Sequence, residues 1–375
     1  MAHGRRTRIL IVDDSAVMRS LLRSVVCADA SLEVTGAAAD GEAALSAIAN
    51  IRPDLILLDV EMPVMDGLVT LRQLRTRGHR MPVIMCSSLT QRGAKVTIEA
   101  LASGASDYVT KPAGQASREV ATRTLAQELL PKIHALTSQL PAQPILAGVA
   151  RMPGLPVAPA HKPQPVSSAP VVLAIGVSTG GPAALDILLP ALPSNFPLPV
   201  LIVQHMPELF TKLFAERLNG RCRLSVREAA EGDPVRAGAI YIARGNWHME
   251  VMGAARSSQP PTLHLHQGPL ENHCRPAVDA LFRSAAAVYG SGVLALVLTG
   301  MGSDGSLGCR AVRDNGGSVL AQDQATSTVW GMPGAVVNAG LAHNVLPLHA
   351  IVPEILRIAG RTHSSEAREL LKSVV

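Results

Sequence analysis

The sequence contains no run of eighteen uninterrupted apolar residues, so no membrane-spanning helix and no direct membrane insertion are expected. Its five cysteines, Cys27, Cys86, Cys222, Cys274 and Cys309, include no Cys-x-x-Cys pair. Reduced, structural thiols in a cytoplasmic protein are the plain reading. Lys and Arg never cluster into a long basic run, and the net charge is only +5 over 375 residues. That gives little ground for nucleic-acid binding. Charged residues make up 17% against 47% hydrophobic, which excludes a disordered polyelectrolyte. The basic start MAHGRRTR leads into four apolar residues, ILIV, that stop at Asp13-Asp14, so no export signal is expected.

What is present exceeds the size at which one core stops growing, and two domains are expected. From Arg8 to about Thr137 short apolar runs alternate with amphipathic ones: RILIV and AVMRSLLRSVV, LEVTGAA and GEAALSAIA, DLILLD and LVTLRQLR, PVIMCSS and KVTIEALASG, then DYVTK and a last helical pattern. Five β-α repeats at that pitch predict a parallel five-stranded sheet with helices on both faces. Prolines at 141, 144, 153, 156, 159, 163, 165 and 170 then break all periodicity. Residues 138–169 read as a semi-extended linker. A second α/β pattern follows over 170–360, with a tail at 361–375. It is expected to be a doubly wound, mainly parallel sheet, with LSVREA, AIYIA, HMEVM and TLHLH as a β-hairpin insertion.

In the first unit Asp13 and Asp14 follow the first strand, Asp59 ends the third, Ser87 follows the fourth and Lys111-Pro112 the fifth. Ends of parallel strands share one sheet edge, so these carboxylates can converge there. Their mutual repulsion calls for a positive group, either a hard divalent cation or Lys111. A lone strand-end Asp is otherwise an N-cap or a turn residue.

The set as a whole, VDDS, LLDVEMPVMDG, Ser87 and GASDYVTKP, resembles the response-regulator receiver domain over residues 8–137. The resemblance implies that Asp59 accepts a phosphoryl group from a histidine kinase, and that Asp13, Asp14, Asp59 and the backbone carbonyl of Glu61 serve a Mg²⁺. It further implies that Ser87 and Lys111 bind the phosphoryl oxygens, that Tyr108 is an aromatic switch, and that the Lys111–Pro112 bond is cis.

In the second unit Ser178, His205 and Asp304 fall just after the apolar runs VVLAIGV, LPVLIVQ and VLALVLTG. A serine, a histidine and an aspartate at one sheet edge are the parts of an acyl-transfer triad. Gly-x-Ser-x-Gly alone does not separate a nucleophile's turn from a phosphate cradle. No Gly-Lys-Ser/Thr accompanies it, and the glycine spacing does not suit a dinucleotide. The chain order Ser, His, Asp also departs from the Ser, Asp, His of α/β-hydrolases.

IGVSTGGP, VLIVQHMPELFTKLFAERL, HCRPAVDALF, LVLTGMGSDG and AQDQATSTVWGMPGAV together resemble the catalytic domain of the chemotaxis protein-glutamate methylesterase and glutamine deamidase family, often called CheB. By that resemblance Ser178 is the nucleophile, His205 the base and acid, and Asp304 its orienter. Met301 lends its N–H to an oxyanion hole, Thr179 supports the site by hydrogen bonding, and no metal serves this half. The implied activity is receiver-controlled demethylation and deamidation of methyl-accepting chemoreceptors, by a monomer. The rival is a receiver with a non-catalytic binding output, or a paralogue serving another pathway. His264, His266 and His273 read as hairpin or surface histidines, Cys274 has no implied role, and Arg275 and Arg236 read as surface arginines.

Overall fold

The structure, a computed structural model, describes residues 5–112, 117–138, 169–255 and 258–372. The stretch expected to be a linker lies, apart from its two ends, outside the described residues.

The N-terminal unit runs β1 (Thr7–Val12), α1 (Ala16–Cys27), β2 (Leu32–Ala38), α2 (Gly41–Ile51), β3 (Leu55–Asp59), α3 (Gly67–Thr76), β4 (Val83–Ser87), α4 (Gln91–Ala102), β5 (Asp107–Thr110) and α5 (Arg118–Thr137). Its sheet has the order β2-β1-β3-β4-β5, with every pair parallel. Every residue of β3 and β4 is buried, because helices cover both faces and the strands are apolar without alternation. Each helix starts where the sequence supplies a capping oxygen. Ser15, Asp40, Asp66, Thr90 and Ser117 each accept an N–H of the first turn, a contact that typically stabilises by about 1 kcal/mol.

The C-terminal unit runs β6 (Val172–Val177), α6 (Gly181–Leu188), β7 (Val200–Gln204), α7 (Glu208–Asn219), β8 (Ser225–Glu228), β9 (Ala239–Ile242), β10 (His248–Met252), β11 (Thr262–His266) and α8 (Val278–Tyr289). It continues with β12 (Val293–Val297), α9 (Ser306–Asp314), β13 (Ser318–Gln322), α10 (Met332–Asn338), β14 (Asn344–Leu346) and α11 (Leu348–Lys372). The main sheet has the order β14-β13-β12-β6-β7-β9-β8 and is parallel throughout. From central β6 the chain builds outward to β7 on one side and later to β12 on the other. The crevice at such a reversal is where open α/β sheets bind ligands.

Two expectations need correcting. Of the four segments read as a hairpin insertion, β8 and β9 instead extend the main sheet in parallel, and only β10 and β11 form an antiparallel hairpin. The polar alternation of β8, with Ser225 and Arg227 exposed, mimics a hairpin strand, but it arises because β8 is the sheet's edge. Residues expected as a tail from 361 are helical up to Lys372, as the last part of α11.

The two units share one continuous apolar cluster, in which Leu101, Tyr108, Phe210 and Phe214 are all buried. Helix α4 packs against α6 and α7. The rings of Tyr108 and Phe210 stack with centroids 4.7 Å apart at 14°. The receiver-like unit therefore sits against α6, α7 and the turn after β6, through α4 and β5.

Gly176 occupies a fully buried strand position because a Cβ there would lie 2.3 Å from Cγ1 of Val278 on α8. We predict that Gly176→Ala lowers stability by about 1–3 kcal/mol, the usual cost of overpacking, and that adding Val278→Ala recovers part of it. Urea denaturation of the two variants tests this; additive losses in the double variant would contradict the packing explanation.

Candidate active site

At the edge of the first sheet the carboxylates of Asp13, Asp14 and Asp59 lie within 4.8 Å of one another. Asp13 and Asp59 are buried, and Lys111 Nζ reaches between them, 2.7 Å from an oxygen of each. Burial raises the Asp59 pKa, and the Asp13 charge adds to the rise, while the bond to Lys111 works against both. Burial alone would lower the Lys111 pKa, but its bonds to the two carboxylates outweigh this and the pKa rises. Ser87 is buried at the end of β4, beside β3. Its carbonyl accepts from the N–H of Lys111 at 2.7 Å, which fixes the lysine's approach. A donor set of three carboxylates with no nitrogen or sulfur among them suits a hard, oxygen-seeking divalent ion such as Mg²⁺. The Glu61 side chain turns outward to Arg92, 3.2 Å away. The Lys111–Pro112 bond is not cis, contrary to expectation; the cis peptide among the described residues is Arg275–Pro276. The trans isomer is the lower-energy form for an X–Pro bond.

At the crevice of the second sheet, Ser178 follows β6 in a tight turn. Its N–H bonds the carbonyl of Thr299, its carbonyl accepts from the N–H of Gly181 at 2.8 Å, and α6 begins there. Gly180 adopts φ 78°, and a Cβ at that position would strike the Thr328 side chain. The glycines thus leave the serine at the tip of the turn, half-exposed. The turn lies against the loop after β12, where Thr299 Oγ1 donates to the carbonyls of Thr179 and Val329.

His205 follows β7 and Asp304 lies in the loop between β12 and α9. The histidine Nε2 and Asp304 Oδ2 are 2.8 Å apart. Asp304 is buried and fully engaged. Its Oδ2 also accepts the N–H of Val278, and its Oδ1 accepts the N–H of Asp279, the N–H of Gly305 and the Asn272 amide. The first two donors form the N-terminus of α8, whose dipole favours negative charge. Burial tends to raise the Asp304 pKa, but the bond to His205 and these N–H groups overcome it and hold the pKa below normal. For His205, burial favours the neutral ring, yet the bonds to Asp304 and Cys274 prevail and lift its pKa to about 9.

Ser178 Oγ makes no hydrogen bond among the described residues, so the structure brings His205 and Asp304 together and places Ser178 nearby without closing the triad. All three regions meet at a cavity of about 490 Å³ lined by Ser178, His205 and Met301 from the second unit and by Asp107, Tyr108 and Lys132 from the first. The Thr179 hydroxyl, expected to support the active site by hydrogen bonding, donates to Asp107 Oδ2 across the domain boundary at 2.6 Å. Lys132 neutralises the same carboxylate from α5, 3.3 Å away. The N–H of Met301 donates to no acceptor among the described residues, as an oxyanion donor requires.

A receiver profile, described as "Response regulator receiver domain", matches residues 9–122, and one described as "CheB methylesterase" matches residues 173–355. The protein-glutamate methylesterase/protein-glutamine glutaminase of Nocardioides sp. is 49% identical over 358 residues, covering 96% of this chain and 97% of that protein. The protein of the same name from Trichodesmium erythraeum is 45% identical over 360 residues, covering 94% and 99%. The chain belongs to this methylesterase family. The crystal structure of the Thermotoga maritima CheB methylesterase catalytic domain is 40% identical, covers 51% of this chain and all of that one, and superposes with a TM-score of 0.49.

Within the family's frame, two residues around His205 and Asp304 were not singled out from sequence, and a third was given no role. Gln204, buried at the end of β7, donates its amide to the carbonyls of both Ser178 and His205, at 3.0 and 3.2 Å. Asn272, in a left-handed turn, steadies Asp304 and Asp279 together. Cys274, given no role from sequence, puts its sulfur 3.6 Å from His205 Nδ1. The hairpin histidines behave as expected: His264 lies 3.0 Å from Glu231 and His266 lies 3.6 Å from Glu250. His273 instead lines the cavity wall. Arg275 is committed to Asn246 and to the carbonyls of Gln267 and Gly268, so it is a loop brace and not a free surface charge.

A base must be neutral to accept a proton. With the His205 pKa raised to about 9, the neutral fraction grows as pH rises from 7 toward that value. We predict that kcat/KM for ester hydrolysis climbs over this window. In Cys274→Ser the bond to a sulfur is lost and the rising limb moves to lower pH. A profile flat between neutrality and pH 9 would show that the raised pKa does not persist in the working enzyme.

Proposed function

We propose that the chain is a phosphorylation-controlled serine esterase that hydrolyses glutamate methyl esters on methyl-accepting chemoreceptors and deamidates receptor glutamines, giving adaptation in chemotaxis. The observation that carries this reading is the Asp304–His205 pair at the switch point of a parallel sheet, with Ser178 on the neighbouring strand end and the receiver unit closing the same cavity. Residues 8–137 act as the receiver and 170–360 as the catalytic domain. The expected setting is the cytoplasm, and the expected phosphodonor is a histidine kinase.

Ser178 Oγ attacks the side-chain carbonyl carbon of the γ-glutamyl ester while His205 Nδ1, the nitrogen not engaged by Asp304, takes the hydroxyl proton. The developing oxyanion faces the N–H of Met301 and the N-terminal end of α6. His205 returns the proton to the methoxide oxygen, and methanol leaves. Water, deprotonated by the same ring, then attacks the acyl-serine, and His205 returns that proton to Ser178 Oγ as the acyl bond breaks and the glutamate side chain is released. With a glutamine substrate the proton goes to nitrogen and ammonia leaves instead. Asp304 keeps the ring oriented and stabilises the transient imidazolium.

Asp59 is the proposed phosphoryl acceptor. Asp13, Asp14 and the Glu61 carbonyl, with Asp59 itself, would hold Mg²⁺, which offsets the negative charge between carboxylate and phosphoryl oxygens. Ser87 and Lys111 would then bind the phosphoryl oxygens, which draws Lys111 away from its present partners. Tyr108, next to Asp107, is stacked on Phe210 and is the switch that joins this event to the domain boundary.

The control follows from position. Lys132 and Pro131 of α5 line the same cavity as Ser178 and His205, so a helical receptor segment gains room at the serine when α5 moves aside.

Methanol release from methylated receptor tests the scheme. Ser178→Ala should abolish it, and Asp304→Asn should lower kcat by about four orders of magnitude, the loss seen when a triad aspartate is neutralised. A small phosphodonor with Mg²⁺ should stimulate the wild type and leave Asp59→Asn unstimulated; equal stimulation of both would sink the proposed control. Asp107→Ala should raise the unstimulated rate about ten- to a hundredfold, since it removes a charged hydrogen bond of about 1.5–3 kcal/mol from the closed form alone. An unchanged basal rate would show that this contact does not hold the site shut.

A further inference from the structure

We propose that His205 and Cys274 form an inhibitory binding site for a thiophilic divalent transition-metal ion such as Zn²⁺. The inhibitory part rests on the reading of His205 as the catalytic base; the binding part does not.

The sulfur of Cys274 and Nδ1 of His205 are 3.6 Å apart. A tetrahedral zinc bound at about 2.3 Å to sulfur and about 2.0–2.1 Å to nitrogen needs these two donors roughly 3.5–3.6 Å from each other. The pair is thus already at chelating separation. Both side chains line the cavity and neither is fully buried, the His205 side chain keeping 14% of its surface exposed, so an ion reaches them from the cavity. His273 lines the same wall and is the nearest further donor along the chain.

The other ring nitrogen is also prepared. A histidine that binds metal usually donates its second N–H to a carboxylate, which fixes the ring and makes it a stronger ligand. His205 has that partner in Asp304 at 2.8 Å. Asp304 lies within 4.8 Å of the other two donors, but its oxygens already accept four N–H groups besides the His205 contact. It remains the orienting partner behind the ring and not a ligand.

The two clusters of the molecule would then sort ions by softness. The oxygen set at Asp13, Asp14 and Asp59 favours a hard ion, and the nitrogen–sulfur pair favours a soft one. On coordination the Cys274 thiol releases its proton to solvent, and Nδ1 gives its lone pair to the metal. That lone pair is the one the Ser178 proton needs, so the loaded enzyme lacks its base for forming the acyl-serine.

The test uses the full chain. Co²⁺ is titrated into Ser178→Ala, where turnover plays no part, and the near-ultraviolet thiolate-to-cobalt charge-transfer band is recorded. The band should form, disappear on addition of Zn²⁺, and be missing when Cys274→Ser or His205→Gln is added. In parallel, methanol release is measured with EDTA and with micromolar Zn²⁺. Zinc should lower the wild-type rate by about a hundredfold, the scale of losing a general base, with recovery in EDTA, and should change the Cys274→Ser rate far less. A band that survives Cys274→Ser, the lack of any band, or equal zinc inhibition of wild type and Cys274→Ser would overturn the proposal. A chain inactive even in EDTA would count against the esterase reading, and the cobalt spectrum alone would then decide the metal site.

Discussion

The Asp304 carboxylate is the point on which the catalytic half depends. It receives hydrogen bonds from the N-terminus of α8, from its own loop at Gly305, from Asn272 and from His205. An unpaired charge at so buried a position would be very costly. Here each lone pair has a donor, and the same donors bring β7, β12, α8 and the turn at Asn272 to one place. The placement of His205 is therefore a by-product of satisfying one buried anion.

A second carboxylate, Asp107, does comparable work between the domains. It ends its own hydrogen-bonding needs on Thr179, one residue past Ser178, and on Lys132 of α5. The adjacent Tyr108 places an aromatic ring on Phe210. The polar and apolar contacts are thus consecutive in sequence at the start of β5, so a shift of that strand end disturbs both. Lys111, which bridges Asp13 and Asp59, sits only four residues beyond Asp107. The chemistry at one sheet edge and the closure of the other domain's site are linked through a single short strand and its exit.

Most of the architecture was legible because long apolar runs admit few readings. VLAIGV, VLIVQ and VLALV are fully buried central strands, and the polar residues that follow them had to share an edge. Where the sequence misled, the segments were short and half-exposed. The edge strand β8 alternates like a hairpin strand, and β14, with three partly exposed residues, carries too little pattern to be seen. Within the site, residue type pointed to Ser178, His205 and Asp304, because each is chemically distinctive, and the structure pairs the last two. It did not reveal that Gln204 clamps two carbonyls or that Asn272 steadies Asp304. Amides of this kind look ordinary until folding shows which acceptors they meet. Thr179 was found by position but without a partner, since its hydroxyl bonds to Asp107 across a boundary that no local pattern encodes.

The stack of Tyr108 on Phe210 has a consequence that runs opposite to the usual direction of signalling. If modification of Asp59 weakens that contact by some free energy, the contact must by reciprocity disfavour the modified state by the same amount. The catalytic domain is then a brake on the receiver's own chemistry as well as its client. A substrate helix that wedges the domains apart would favour the phosphorylated form, so receptor engagement and phosphoryl occupancy would each report on the other.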